Sequence, residues 1–340
     1  VIELPPYPRR ASNAAVRDAD PLAYRLAASG VGTLALGVLL LVGWALVQFE
    51  VVRAAWLDTL AGLVAVVLLW AGVLGLALGA ALVAYPAGVR RELALHRFAR
   101  SVGLSYARFG APLEMGGVFF AERAPGADPS YGSAFELYRP PFDDAPLRLG
   151  VATFEGGRDA ARGPRHAFRF LALRLPRPMP HIMIDSLRNG RLRAELPGAQ
   201  RVSLEGEMDR HFAVYAPLGY ARDALQVLTP DVLVCLLEHG RNWDVEVVDD
   251  LLLVASTRFR RGRDATEVPA LLRFATLLGA EVRTQIVPYT DPRAVFPRTQ
   301  VAAAGRRLRR RSVWCDIAIL LGLVIGVPAA ILGGVLLVAR

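Results

Sequence analysis

The chain has 340 residues, 54% of them apolar, and a formal net charge of +9. Its 40 basic residues are all Arg, which excludes phosphate-binding loops of the G-x-x-x-x-G-K type, kinase chemistry of the usual kind and catalysis through a Lys Schiff base. Two cysteines far apart, Cys235 and Cys315, build neither a disulfide framework nor a cysteine zinc site.

Residues 1–23 carry Pro5, Pro6, Pro8 and Pro21 among mixed charges and read as a flexible tail. Leu26 to Val47 and Thr59 to Tyr85 follow, each apolar and longer than the roughly 20 residues that cross a bilayer as a helix. They predict a transmembrane hairpin over 24–86. The first run is longer than a signal-peptide core and no small-x-small site precedes Glu50, so it reads as a retained span. A third run, Ile317 to Ala339, predicts that 301–340 is a basic juxtamembrane segment leading into a third transmembrane helix.

Arg9, Arg10, Arg17 and Arg25 precede the first run, Arg90, Arg91, Arg97 and Arg100 follow the second, and Arg306, Arg307, Arg309, Arg310 and Arg311 precede the third. The hairpin loop holds Arg53 beside Glu50 and Asp58. Basic residues stay inside, so the expectation is a multi-pass protein of the cell membrane with its N-terminus and large domain cytoplasmic. Tyr24, Tyr85 and Trp314 then fall at the inner interface, Trp44 and Trp56 at the outer one. Gly75 and Gly79, and again Gly322 and Gly326, are four apart and make strips where helices approach closely. The runs hold no charge at mid-depth, which argues against a transport pathway in this chain alone.

Residues 87–300 predict an α+β domain with a mostly antiparallel sheet and flanking helices. Val89 to Val102 continues inward as a helix. Gly117 to Glu122, Phe135 to Tyr138, Leu147 to Phe154, Ala167 to Leu175, His181 to Ile184 and Arg201 to Glu205 read as strands, with a loop over 124–132. Tyr220 to Leu228 is helical. Thr229-Pro230-Asp231 opens a helix over Val232 to His239. Asp244 to Val248 and Leu251 to Ser256 flank Asp249-Asp250 as a hairpin, Thr266 caps a helix over Glu267 to Val282, and Val301 to Arg311 runs helically toward the membrane.

From Pro86 to Val313 there are 34 Arg against 25 acids, and five of those Arg lie in 306–311. The remainder is mildly basic, so nucleic acid is not an expected partner. Glu205, Glu207, Asp209 and His211 are the densest polar group; on a helix Glu207 and His211 share a face at i, i+4. His181 and Asp185, if extended, lie about 13 Å apart, too far for one metal. No G-x-S-x-G or H-E-x-x-H occurs, and no catalytic residue, metal or cofactor is expected. Arg258, Arg260, Arg261 and Arg263 form a second basic cluster that, with Arg306 to Arg311, is a candidate for anionic lipid headgroups.

Four stretches carry a resemblance. They are Leu173-Arg-Leu-Pro-Arg-Pro-Met-Pro-His-Ile-Met-Ile-Asp185, Ser203-Leu-Glu-Gly-Glu-Met-Asp-Arg-His-Phe-Ala-Val-Tyr-Ala-Pro217, Arg222-Asp-Ala-Leu-Gln-Val-Leu-Thr-Pro-Asp231 and Asp244-Val-Glu-Val-Val-Asp-Asp250. Together, over roughly Leu173 to Val254, they resemble an uncharacterised family of actinobacterial integral membrane proteins. The resemblance implies a membrane-anchored protein with a cytoplasmic domain and brings no activity with it. The functional expectation is a non-enzymatic, membrane-anchored module that docks a protein partner, itself or anionic lipid. The alternatives are a hydrolase or metal-dependent enzyme using Glu205 to His211 and His181 to Asp185, and an accessory subunit of a transporter.

Overall fold

The computed structural model describes residues 4–8, 11–48, 58–110, 117–118, 131–139, 147–154, 167–189, 196–204, 206–256 and 261–309. The third apolar run, with Gly322 and Gly326, lies outside them, as does most of Gly117 to Glu122. The chain divides into two compact units, Pro5–Tyr106 and Ala107–Arg340 with Val1–Leu4.

The first unit is helical. The segment read as a flexible tail carries a helix, α1 (Asn13–Ala19), because the Ser12 side chain accepts the Ala15 N–H and caps it. Then come α2 (Ala23–Gln48) and α3 (Asp58–Ser101), two helices long and apolar enough to cross a membrane. Few of their side chains are buried: Leu39 and Trp70, for instance, are 67% and 61% exposed. Such a surface is favourable in lipid and costly in water. The two helices meet through glycine. A Cβ on Gly75 would stand 3.1 Å from Gly37 Cα, and one on Gly79 would stand 2.7 Å from Leu34 N and 2.8 Å from Gly30 O. Backbone therefore touches backbone, which maximises dispersion contact where no hydrophobic effect operates between helices. Below this strip the Asn13 Oδ1 accepts from the Tyr24 hydroxyl at 2.7 Å and from Arg90, and the Tyr85 hydroxyl donates to Asp20 at 2.8 Å. These bonds tie α1 to both long helices.

The second unit is α+β. A three-residue strand, β1 (Ser105–Ala107), falls at the chain boundary between the units; the second unit's strands are β2 (Tyr131–Tyr138), β3 (Leu147–Phe154), β4 (Ala167–Ser186), β5 (Arg201–Val202), β6 (Phe212–Tyr215) and β7 (Asp244–Ser256), in one sheet ordered β2-β3-β4-β6-β5 with β7 along β4. From β2 onward the pairs are antiparallel. Two expected strands, Ala167 to Leu175 and His181 to Ile184, are the one strand β4. Pro176, Pro178 and Pro180 alternate, so their missing N–H groups fall on one edge. In that gap β3 has ended, at Leu173, and β6 has not begun, at Met183. β7 spans the gap on the other edge with shifted register. The expected hairpin at Asp249-Asp250 is likewise one strand: Asp249 takes φ 52° for a single residue, a conformation Asp tolerates, opposite the stretch where β4 carries the extra residues, and β7 runs on without reversing. β6 was not foreseen; it is a four-residue strand that follows the turn at Gly206, φ 64°, and the short helix α4 (Met208–His211).

Three helices, α5 (Ala221–Val227), α6 (Pro230–Cys235) and α7 (Asp264–Ile286), accompany the sheet. Thr229 is the extended N-cap of α6, with Pro230 at the first position. Beyond α6 the chain makes a π-helical turn, Leu236–Gly240. α7 starts earlier than expected, at Asp264, and Thr266 does not cap it; its hydroxyl donates back to Arg263 O at 3.1 Å. The buried stripe of α7, including Val268, Leu271, Leu272, Ala275, Leu278 and Val282, is the main helical contribution to the core. Burying each of the large side chains is worth about 1.5–3 kcal/mol. Arg169 of β4 is fully buried against the first turn of α7, 2.6 Å from Asp264 and 3.3 Å from Glu267.

The segment Val301 to Arg309 is not the expected helix. After a short 3-10 turn, Ala303–Gly305, it crosses the sheet as an extended strap. Leu308 is buried in the sheet core, and Arg309 N–H and C=O bond the amide of Gln200. These side-chain bonds to the backbone replace the i→i−4 ladder a helix would have needed.

Candidate functional site

The end of the sheet where β4 leaves and β7 begins opens into a groove. It consists of two adjoining cavities of about 670 and 750 Å³ that share Arg188, Glu238 and His239. The π-helical turn forms one wall and the first turns of α7 another, with Arg263, Glu267 and Arg273. The second cavity extends it to Glu207, Leu237 and Arg241, where Arg241 pairs with Glu207 at 3.3 Å. A π-helical turn is rare and often marks a functional position. Here it ends on buried Gly240, where a Cβ would stand 3.0 Å from the Phe274 ring, so glycine lets the wall close onto α7. Trp243, Phe274, Asn189 and Ser256 are the buried lining.

Under that lining lies a polar network. Ser256 Oγ donates to Asn189 Oδ1 at 2.9 Å. The Asn189 amide donates to Asp244 Oδ2 at 2.5 Å and to Ala255 O at 3.2 Å, and Ser186 N–H donates to Asp244 Oδ1 at 2.8 Å. Asp185 and Asp244 are near neighbours, both out of solvent. Burial pushes Asp185 up to about 6, opposed by its bond with Asp244. Burial first, and then the charge of Asp185, push Asp244 up to about 8, opposed by the Ser186 and Asn189 donors. The two values belong to the pair, in which burial and like charge both favour a protonated carboxyl. Asp185 Oδ1 has no hydrogen-bond partner among the described residues. Closed off from the groove by Asn189, the pair orients the amide that lines it.

The candidates from sequence scatter. His181 is buried away from the groove, its Nε2 at 2.6 Å from Glu246 Oε1 and its Nδ1 accepting Leu308 N–H at 3.1 Å. Acceptance at Nδ1 places the proton on Nε2, donated to Glu246. Glu246 also accepts from Val118 N–H, and a Cβ at Gly117, φ 122°, would press on its carboxylate. This dyad pins Val118 and Leu308 onto the sheet. Glu207 and His211 do share a helical face, 3.6 Å apart, and Glu207 reaches the groove; Glu205 lies outside the described residues. Asp209 bonds Ser203 at 2.6 Å. Among the described residues no group of three or more His, Cys, Asp or Glu converges as a metal site.

Of the basic clusters, Arg263 lines the groove, Arg261 opens a 3-10 turn (Arg261–Arg263), and Arg258 and Arg260 lie outside the described residues with Arg310 and Arg311. Arg307 is bidentate to Asp249 at 2.8 and 2.7 Å, which holds that carboxyl below the usual range, while Arg306 and Arg309 are exposed. Asp250 pairs with Arg174 and Asp264 with Arg169. Arg188, Trp243, His239 and Arg273 carried no local signal, because the groove exists only where four separate segments meet.

No family model and no curated protein matches the chain. A solved structure, the mycobacterial trehalose monomycolate transport factor A (TtfA), aligns over 58% of this chain and 94% of its own, at 12% identity and a TM-score of 0.37. A likeness that distant transfers neither fold nor role.

Proposed function

We propose that the chain is a non-enzymatic docking module anchored in the cell membrane by multiple spans, with its N-terminus and α+β unit cytoplasmic, whose groove receives a segment of a partner protein. Anchorage is supported by the lipid-suited surfaces of α2 and α3, and orientation by the Arg residues that flank the apolar runs. One observation carries the docking reading. The groove presents Arg188, Arg241, Arg263 and Arg273 together with Glu207, Glu238 and Glu267 around apolar Trp243, Phe274 and Val234. Mixed charge around an aromatic floor suits a polypeptide of both signs better than a uniformly anionic headgroup.

The test is a photo-crosslinking amino acid at Asn242 or Arg273 in the full chain in its native membrane, with Arg222, outside the groove, as control. The expected result is a discrete protein adduct from the groove positions alone. Identical patterns from all three positions refute the reading. The competing metal-enzyme reading draws on the Glu207–His211 pair. It is disfavoured because Glu207 already bonds Arg241, and stoichiometric metal in the purified protein would restore it.

A further inference from the structure

The loop after α7 holds the most exposed apolar residues in the described second unit. Val295 and Phe296, consecutive, are 100% and 88% exposed. Such a pair at a slack loop tip would mean little, but this loop is built. Its stems close through Asp291 N–H to Arg298 O at 3.0 Å, and Ala294 N–H donates to Asp291 O at 3.2 Å. The Asp291 carboxylate, fully buried, accepts from Tyr220 Oη, Ala302 N and Arg293 N, each at 2.9 Å. The Arg293 guanidinium stacks 4.1 Å over the Tyr220 ring and bonds Asp223 and Gly219 O. Gly305 completes the hub; any Cβ there would stand 2.5 Å from the Tyr220 ring. The loop that carries two large apolar side chains is thus braced at its stems, so ordering its backbone on a partner costs little entropy.

Charge selects the partner. From Val287 to Arg311 the chain has seven Arg and one acid, and that acid is Asp291 at the centre of the hub. Arg293 and Arg307 are neutralised by Asp223 with Asp291 and by Asp249; Arg298, Arg306 and Arg309 are exposed. An apolar tip followed by cations, with no exposed carboxylate within its own segment, is the composition of a bilayer-interface contact. A protein groove of mixed sign would have asked for both charges. On the membrane anchorage proposed above, the bilayer lies close by in the chain. Eight residues on from Arg309, at most about 28 Å of extended chain, the third apolar run begins at Ile317.

We propose that the Val295–Phe296 tip inserts into the interface of an anionic bilayer, with Arg298, Arg306 and Arg309 on headgroups, as a contact separate from the membrane spans and from the groove. The experiment uses full-length protein carrying Cys235→Ala, Cys315→Ser and Phe296→Cys, labelled with an environment-sensitive nitrobenzoxadiazole dye. It is reconstituted at one copy per nanodisc of phosphatidylcholine with or without phosphatidylglycerol. A second label at Thr284, exposed on α7, is the control. The expected result is blue-shifted emission at position 296, quenched by nitroxide-labelled lipid and not by iodide, and lost when Arg298, Arg306 and Arg309 are all changed to Gln. Water-like emission quenched by iodide in both lipids overturns the proposal. So does a blue shift that needs two copies per disc, which would assign the tip to a second chain. A groove crosslinking result of either kind leaves this outcome unaffected.

Discussion

Replacing Asp185 by an asparagine tests the buried acid pair most directly. Asp185 is 8% exposed, and the lower of the pair's two values, about 6, stands about two units above the ordinary 3.8. At about 1.4 kcal/mol per unit that is about 3 kcal/mol. The sign follows from linkage. A carboxyl whose folded value is raised contributes its stability fully below the unfolded value, near 3.8, and loses it as pH rises through about 6. Wild type should therefore weaken between pH 4 and pH 7, whereas the amide of the Asp185→Asn variant does not titrate and can donate to Asp244. At pH 4 the two proteins should agree within about 1 kcal/mol, since a neutral carboxyl and an amide are near-isosteres. At pH 7 the variant should be more stable by about 3 kcal/mol, or roughly 6–12 °C in Tm for a unit of this size. The assay is urea unfolding of the nanodisc-reconstituted protein at both pH values, followed by circular dichroism. A stability difference independent of pH, or a variant weaker than wild type at pH 7, refutes the reasoning.

Three further outcomes follow from named contacts. Arg169→Met should destabilise the α+β unit by about 3–5 kcal/mol, because Asp264 and Glu267 at the start of α7 lose a fully buried cation; a loss under about 1 kcal/mol in the same unfolding assay contradicts the pairing. Gly79→Leu should open the α2–α3 contact at a cost of about 1–3 kcal/mol, whereas Gly88→Ala, whose Cβ meets nothing, should cost nothing and stabilise by up to about 1 kcal/mol through helix propensity; steric-trap unfolding in bilayers separates them. Arg307→Gln breaks an ion pair whose members are about half exposed, so thermal melts should shift by less than about 1 kcal/mol-equivalent, and binding of anionic vesicles should fall less than for Arg306→Gln or Arg309→Gln.

Local pattern carried far where one segment sets its own structure. The apolar runs that became α2 and α3 are legible because a helix long and apolar enough to cross a membrane stands out as one unbroken run of residues. Leu147 to Phe154 stood out as β3, and the Thr229-Pro230 signal as the start of α6, since alternation and capping act over a few residues. The misreadings occurred where distant chain overrode local preference. Pro176 to Pro180 and Asp249-Asp250 looked like breaks, yet β7 bridges the first and β4 carries the second, so two strands run through as bulges. Arg306 to Arg309 looked helical, but Gln200, His181 and Asp249, at least 58 residues away, draw that segment out over the sheet.

The sequence by itself determined two helices long and apolar enough to cross a membrane, an α+β unit with a mostly antiparallel sheet, and an all-Arg chain closed to lysine chemistry. Each follows from composition or from periodicity within a window of about twenty residues. Only the tertiary structure decided which polar groups act together. It set Asp185 beside Asp244, gathered Arg188, His239, Trp243 and Arg273 round one groove, and neutralised Arg307 while leaving Val295 and Phe296 bare. Solvation and charge depend on what surrounds a side chain in space, and the neighbours that set them here lie tens of residues away along the chain.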